Sequence, residues 1–137
     1  CNAYAMISLG NGKQMQKTGT AVRASNCPKW ENETLVFDLP PAQEVLEVSV
    51  WDEDLFGQGD DLIGVIHVPT DDLLFGQVRD EWYDLTEGPI QTSKVRLRLS
   101  IQPRDEEPLE VEHHLHRITI ELVEGSDLRD PQDPSGT

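Results

Sequence analysis

The chain has 137 residues, of which 36% are hydrophobic, and its formal net charge at pH 7 is −15. This length is sufficient for one domain with a buried core. The charge argues against partners that are nucleic acid or bare anionic membrane, and no apolar run approaches the roughly 20 residues that span a bilayer.

Short runs of alternating apolar and polar residues, separated by turn residues, predict β-strands throughout the chain. In chain order they cover 3–10, 18–23, 34–39, 45–52, 62–69, 81–85, 94–102 and 117–125. The first strand ends in a turn, "GNGK". Seven or eight short strands at this spacing predict an all-β protein, an antiparallel β-sandwich.

Several residues have predicted roles in this sandwich. Trp30 and Phe37 are expected in the core, while Trp82 and Tyr83 are expected to pack or to form hydrogen bonds at a strand end. The run "PTDDLLFGQ" predicts one or two helical turns with Thr70 as the N-cap. Residues 103–116 are rich in charge and proline, which indicates a linker or an extra strand at 109–115.

The run "VWDEDLFGQGDDLIG" contains five acidic residues between two predicted strands. Alternate side chains of a strand share a face, so Asp52 and Asp54 project the same way. Asp60 or Asp61 returns a third carboxylate where the next strand begins. Because Ca²⁺ prefers six to eight oxygen ligands, this loop is a candidate calcium site. A solvated acidic turn is the alternative.

The two cysteines, Cys1 and Cys27, do not form a disulfide framework. That pattern predicts a reducing, cytoplasmic location. The chain begins with cysteine rather than methionine, which predicts that it is an excerpt of a longer protein. No catalytic triad, paired catalytic carboxylates or glycine-rich phosphate loop occurs with supporting context, so we do not expect an enzyme.

Three blocks of the sequence resemble the C2 domain family of calcium- and phospholipid-binding β-sandwiches. The run "NCPKWENETLVFDL" resembles the family pattern NPxWNExFxF, and "VSVWDEDLFGQGDDLIG" resembles VxDxDxxxxDDxIG. "FGQVRDEWYDL" is similar to the segment before the penultimate strand pair. The resemblance implies an eight-stranded antiparallel β-sandwich of C2 type.

The order of the chain departs from the usual family order. The segment "RITIELVEGSDLRDPQDPSGT", which resembles the opening strand and first calcium loop, comes last. Residues 1–102 would then form the main part of the sandwich, and residues 117–137 would complete it. Two explanations are a circularly permuted domain and a slice of a tandem array. In the second, the closing strand could come from a swapped partner in a homodimer.

The resemblance implies calcium ligands from both acidic loops. Asn2 stands where the family usually has aspartate, which weakens one site. The implied ligands are Asp52, Asp54, Asp61 with Asp60 as its substitute, Asp133, Asn2 and, as an extra, Asp130.

The resemblance also implies a peripheral membrane protein. Bound calcium would cancel the negative charge of the loops and contact anionic phospholipid, while Leu55 and Phe56 would enter the interface. A small packed cluster is the alternative role of these two residues. Lys13, Lys17 and Arg23 are candidates for contacts to lipid headgroups, or part of a solvated face. Calcium-independent membrane binding should be weak.

The expected function is that of a calcium-dependent phospholipid-binding module that targets a larger protein to membranes. A calcium-independent module for protein interaction or dimerisation is the alternative. An adhesion domain of immunoglobulin or cadherin type is disfavoured because the chain has no Cys-Trp-Cys arrangement.

Overall fold

The computed structural model describes residues 2–21, 26–39, 44–54, 56, 59–73, 76–103 and 116–129. Their strands are β1 (Ala3–Leu9), β2 (Gln14–Lys17), β3 (Thr34–Leu39), β4 (Val45–Asp52), β5 (Asp61–Pro69), β6 (Val78–Asp84), β7 (Lys94–Pro103) and β8 (His116–Ser126). They form two four-stranded sheets with the orders β2-β1-β4-β5 and β3-β8-β7-β6. All pairings are antiparallel. The predicted eight-stranded antiparallel β-sandwich is therefore confirmed.

The core consists of the inward side chains of both sheets. In β7 the residues Val95, Leu97 and Leu99 are no more than 1% exposed, whereas the intervening Arg96 and Arg98 face outward. β4 contributes Leu46, Val48 and Val50 in the same alternating way. Fully burying such side chains contributes about 1.5–3 kcal/mol each, so alternation fixes which face of each strand is inside. Trp30 and Phe37 are buried, as expected.

Strand β8 occupies an inner position in its sheet. It pairs with β3 on one side, where Thr34 lies opposite Glu121, and with β7 on the other, where Lys94 lies opposite Ser126. The last of the described strands thus fills a central place in the sandwich. Permutation and tandem slicing both stay predictions, as does the role of residues 130–137, which lie outside the described residues.

The strand predicted at 18–23 is wrong over residues 18–20, and residues 22 and 23 lie outside the described residues. The strand β2 ends at Lys17, and residues 18–20 are not in a strand. The reason lies in Thr18, whose hydroxyl replaces a backbone carbonyl as the acceptor for the Ala5 N–H at 2.9 Å. Beyond it, Ala21 forms an isolated bridge with Ala3. The "GNGK" turn is present, with positive φ at Gly10, Asn11 and Gly12.

The predicted N-cap role of Thr70 is also wrong. A single 3₁₀ turn, Thr70–Asp72, follows β5, and Pro69 occupies its N-cap position without a side-chain cap. The Thr70 hydroxyl instead donates to the Glu44 carbonyl at 2.8 Å and accepts the Glu44 N–H at 3.2 Å. It therefore ties the end of β5 to the start of β4. The possible extra strand at 109–115 lies outside the described residues.

Trp82 does not pack at a strand end. It lies within β6 and is 46% exposed, so the prediction for this residue is wrong. The Trp82 side chain lies on the outer face of the sheet, because Trp82 lies opposite the outward-facing Arg96 of β7. Tyr83 points the other way and is half-buried. Its hydroxyl has no hydrogen-bond partner within the part of the chain described here.

Candidate functional site

Strand pairing brings several acidic residues to one end of the sheet that contains β4 and β5. Asp52 ends β4 and lies opposite Asp61, which begins β5. On its other side Asp52 lies opposite Ala3, so the start of β1 reaches the same place. We call this region, formed by Asn2, Asp52, Glu53, Asp54, Asp60 and Asp61, the acidic end.

Backbone hydrogen bonds fix the inner part of the acidic end. Asp52 is only 9% exposed, and its Oδ1 accepts the Asn2 N–H at 3.0 Å. The Glu53 N–H donates in turn to the Asn2 carbonyl at 2.8 Å. Thr20 donates its hydroxyl to the Glu53 carboxylate at 2.5 Å. The buried carboxylate of Asp52 is thus satisfied by the chain that precedes β1.

The outer part of the acidic end is a loop whose own carboxylates accept its backbone amides. Asp60 Oδ1 accepts the Asp54 N–H at 2.9 Å, and Asp54 Oδ1 accepts the Phe56 N–H at 2.8 Å. Such local bonds from aspartate to backbone are typical of tight loops. They fix the backbone amide of Phe56, a residue that is 92% exposed.

Tyr4 connects the acidic end to β1 and β2. The Tyr4 hydroxyl donates to Asp60 Oδ2 at 2.5 Å, and Lys17 Nζ lies 4.2 Å from the centre of the Tyr4 ring. The Tyr4 hydroxyl and then the Asp54 amide lower the pKa of Asp60, with a smaller contribution from Lys17. Burial, followed by the Asp60 hydrogen bond, raises the pKa of Tyr4.

Replacing Tyr4 with phenylalanine should raise the pKa of Asp60 toward its ordinary value in calcium-free solution. In the native protein this pKa is lowered, so the ionised carboxylate stabilises the fold above about pH 4. That contribution is lost as the pH falls through the lowered value. A carboxyl-detected NMR titration of the native protein and of Tyr4→Phe measures the shift. An unchanged Asp60 pKa in Tyr4→Phe would contradict the assigned bond.

The structure places four of the predicted calcium ligands, together with Asn2, at the acidic end. Their oxygen atoms are of the type that calcium prefers. Within the described ranges, however, no three His, Cys, Asp or Glu side chains lie close enough to hold one metal ion. Lys13 is exposed in the "GNGK" turn, and Lys17 lies on Tyr4. The predicted site residues Asp130, Asp133, Leu55 and Arg23 lie outside the described residues.

Sequence reasoning did not find the roles of Tyr4 and Thr20. Tyr4 is 56 positions from its partner Asp60, and Thr20 is 33 positions from Glu53. No local pattern marks either pair. The Tyr4 contact depends on the register of β1 against β4, which places Tyr4 opposite Trp51, next to Asp52.

The sequence profile of the C2 domain family matches residues 1–85. The chain belongs to the C2 domain family. Over 105 residues it is 31% identical to extended synaptotagmin-3 from Xenopus tropicalis, a match that covers 75% of this chain and 11% of that protein. This C2 domain therefore spans a small part of the length of its relative.

Solved structures show the same fold. Human GIVD cytosolic phospholipase A2 superposes with a TM-score of 0.50 at 18% identity, over 90% of this C2 domain and 13% of that chain. Its complex with methyl gamma-linolenyl fluorophosphonate gives a TM-score of 0.51 at 16% identity, over 86% and 22%. At these identities the likeness concerns the fold alone. None of the described helical segments is long and apolar enough to cross a membrane.

Proposed function

We propose that this C2 domain binds anionic phospholipid bilayers in a calcium-dependent way and attaches a larger protein to the cytoplasmic face of a membrane. The observation that carries the proposal is the position of Phe56. Phe56 is 92% exposed, and its backbone amide donates to the Asp54 carboxylate of the acidic end. An exposed apolar residue beside carboxylate oxygens, the ligand type that calcium prefers, suits a surface that has both acyl chains and anionic headgroups.

The charge of the chain explains why a cation is required. At a formal net charge of −15, the domain repels an anionic bilayer. Asp52, Asp54 and Asp61, with Asp60, are the described residues that would hold calcium. Asp133, Asp130 and Asn2 are the further ligands that the family resemblance implies. When bound, calcium supplies positive charge and coordination positions for lipid oxygens.

The hydrogen bonds at the acidic end are compatible with this role. A carboxylate offers about four lone-pair sites on its two oxygens, so one that accepts a hydrogen bond can still coordinate a cation. Asp60 accepts bonds at both oxygens, from the Asp54 amide and the Tyr4 hydroxyl. These bonds orient its carboxylate before any ligand arrives. Lys17, which lies above Tyr4, places a positive charge beside the same group.

A calcium-independent module for protein interaction is the second candidate. It is favoured by the arrangement of the acidic residues, since no three of those described are grouped as a metal site. It is also favoured by the direct hydrogen bonds that satisfy Asp52 and Asp60 without a cation.

A thermal melt with calcium and with chelator separates the two candidates. Calcium at 100 times its dissociation constant should add about 2.7 kcal/mol to the free energy of unfolding. Cosedimentation with phosphatidylserine vesicles should occur with calcium and be lost with chelator. Asp54→Asn should weaken both effects, because it replaces a proposed carboxylate ligand with a neutral amide.

The matched control for this experiment is Asp71→Asn. It removes one negative charge from an exposed residue just beyond the opposite end of β5, so its calcium response should equal that of the native protein. An unchanged melting temperature with calcium, together with no vesicle binding in calcium or in chelator, would favour the second candidate instead.

A further inference from the structure

The edge strand β6 has one strand neighbour within the described part of the chain. It ends the sheet order β3-β8-β7-β6 and pairs with β7 along its whole length, from Val78 to Asp84. The backbone N–H and C=O groups of β6 that point away from β7 therefore form an edge that another extended chain could join. Proteins commonly protect such edges, because an open one promotes association between chains.

Two other edges of this sandwich are protected by the protein itself. At β3, the Gln14 side chain donates to the Asp38 carbonyl at 2.6 Å and accepts the Asp38 N–H at 3.0 Å. The Gln16 side chain donates to the Val36 carbonyl at 2.7 Å. At β5, Val65 and Thr86 exchange two backbone hydrogen bonds of 2.8 and 2.9 Å. Compared with the edges at β3 and β5, the β6 edge is less protected.

The side chains of β6 form a pattern that is complementary to itself. On the outer face, Val78 is 61% exposed and Trp82 is 46% exposed, with Asp80 between them. On the other face, Arg79 and Glu81 carry opposite charges and form an ion pair at 3.1 Å. An apolar pair and a charged pair are thus each placed symmetrically about Asp80.

We propose that β6 pairs antiparallel with β6 of a second copy of this chain, centred on Asp80, and joins the two sheets into one. In this register Val78 lies opposite Trp82 of the second copy, and Arg79 lies opposite Glu81 of the second copy. Each contact occurs twice because of the two-fold symmetry. Apolar and oppositely charged pairs are the cross-strand pairs that stabilise antiparallel sheets.

Symmetry and charge select this register over its neighbours. In the dimer, a two-fold axis perpendicular to the joined sheet keeps the outer faces of both copies on the same side. Residues that lie directly opposite each other in antiparallel strands also point to the same side, so the axis must pass between a residue and its own copy. Centring on Glu81 would place two glutamates opposite each other and Asp80 against Trp82. Centring on Arg79 would place two arginines opposite each other.

The two copies of Asp80 meet at the centre, where arginines compensate their charge. Asp80 accepts two hydrogen bonds from Arg96, at 2.7 and 2.8 Å, and further bonds from Arg98 at 3.3 Å. These arginines also bond Glu124 and Glu121 on β8, so their positions are fixed on the outer face. Like charges would otherwise destabilise such a pair.

The surface beside β6 also has room for the incoming chain. A groove of about 630 Å³ runs along the start of β6 and is lined by Leu73, Val78, Arg79, Glu81 and Leu99, among others. In the proposed register Trp82 of the second copy lies opposite Val78, which lines this groove. Val78 and Trp82 lie on the outer face, and covering their exposed apolar surface in the pair favours association.

Charge reversal tests this register directly. In sedimentation velocity, run with chelator and without lipid at about 0.15 M salt, where charges are screened beyond about 8 Å, the native chain should dimerise reversibly. Arg79→Glu and Glu81→Arg should each raise the dissociation constant about tenfold, since each makes two repulsive pairs. The double variant Arg79→Glu/Glu81→Arg should have a dissociation constant within about threefold of the native one. Its two charges are swapped, so each cross-strand pair is again of opposite sign.

Replacing either of two exposed valines with lysine supplies the matched comparison. Val78→Lys should weaken the dimer, whereas Val36→Lys should leave it unchanged. Val36 is likewise exposed, at 43%, but lies on the protected β3 edge. Thermal melts establish that each variant is folded.

Amide hydrogen exchange locates the contact. Exchange along β6 should slow as protein concentration rises, with no such change in β3. A chain that stays monomeric at millimolar concentration overturns the proposal, as does a dimer whose double reversal is no better than the single ones. Protection of β6 only on adding a foreign peptide would assign the edge to another protein and overturn self-pairing. Because no calcium or lipid is used, failure here leaves the proposed membrane function untouched.

Discussion

Phe37→Ala is expected to lower the free energy of unfolding by about 3–5 kcal/mol, a large part of the stability of a domain this size. Phe37 is 1% exposed and is among the largest fully buried side chains. It lies on β3, opposite Ile118 of β8. Its loss removes buried apolar surface and leaves a cavity between the sheets. Urea unfolding followed by circular dichroism measures the change.

Val36→Ala is the control for this experiment. Val36 neighbours Phe37 in the same strand but is 43% exposed, so its truncation should change the free energy of unfolding by less than about 0.5 kcal/mol. Equal destabilisation by the two variants would contradict the assignment of Phe37 to the core.

Phe56→Ser is expected to weaken calcium-dependent partitioning onto phosphatidylserine vesicles by about 10- to 100-fold. Burying a phenylalanine side chain contributes about 1.5–3 kcal/mol, and each 1.4 kcal/mol is a factor of ten in affinity. Because Phe56 is 92% exposed in the domain itself, the substitution should leave the melting temperature unchanged. Vesicle cosedimentation at fixed calcium and increasing lipid gives the partition coefficient.

Val45→Ser provides the comparison for Phe56. Val45 is a 48% exposed apolar residue at the start of β4, the end opposite to Asp52. Its substitution should not affect partitioning if the bilayer contacts the acidic end. Equal losses for both variants would place the membrane elsewhere on the domain.

Much of the fold follows from alternation in the sequence. In β4 and β7 the buried apolar residues are separated by polar ones, so both strands occur within one residue of their predicted bounds. β6 begins three residues before its predicted start, because Val78–Asp80 pair with β7 although most of the strand is exposed. An edge strand with little buried surface has only a weak alternation of apolar and polar residues in its sequence. β2 was misplaced for a different reason, since its end depends on the bond between the Thr18 hydroxyl and Ala5.

The site was predictable only where it depends on neighbours in sequence. The spacing of Asp52 and Asp61 around one loop indicates that they meet at the same end, and the pairing of β4 with β5 brings them opposite each other. The bonds of Asp52 to Asn2 and of Asp60 to Tyr4 join residues 50 and 56 positions apart. Those contacts require the register of β1 against β4, which composition and periodicity do not encode. The calcium ligands themselves stay predictions.

The bond between Tyr4 and Asp60 gives this domain an intrinsic optical reporter. The chain has two tyrosines, and the hydroxyl of Tyr83 has no hydrogen-bond partner within the described ranges. Tyr4 alone of the two therefore senses the charge on a carboxylate of the acidic end. A cation that draws electron density from Asp60 would weaken the bond and alter the ultraviolet absorption of the phenol ring. The Tyr4→Phe variant provides the blank for this difference spectrum. Cation binding at Asp60 could therefore be followed without a dye or an attached label.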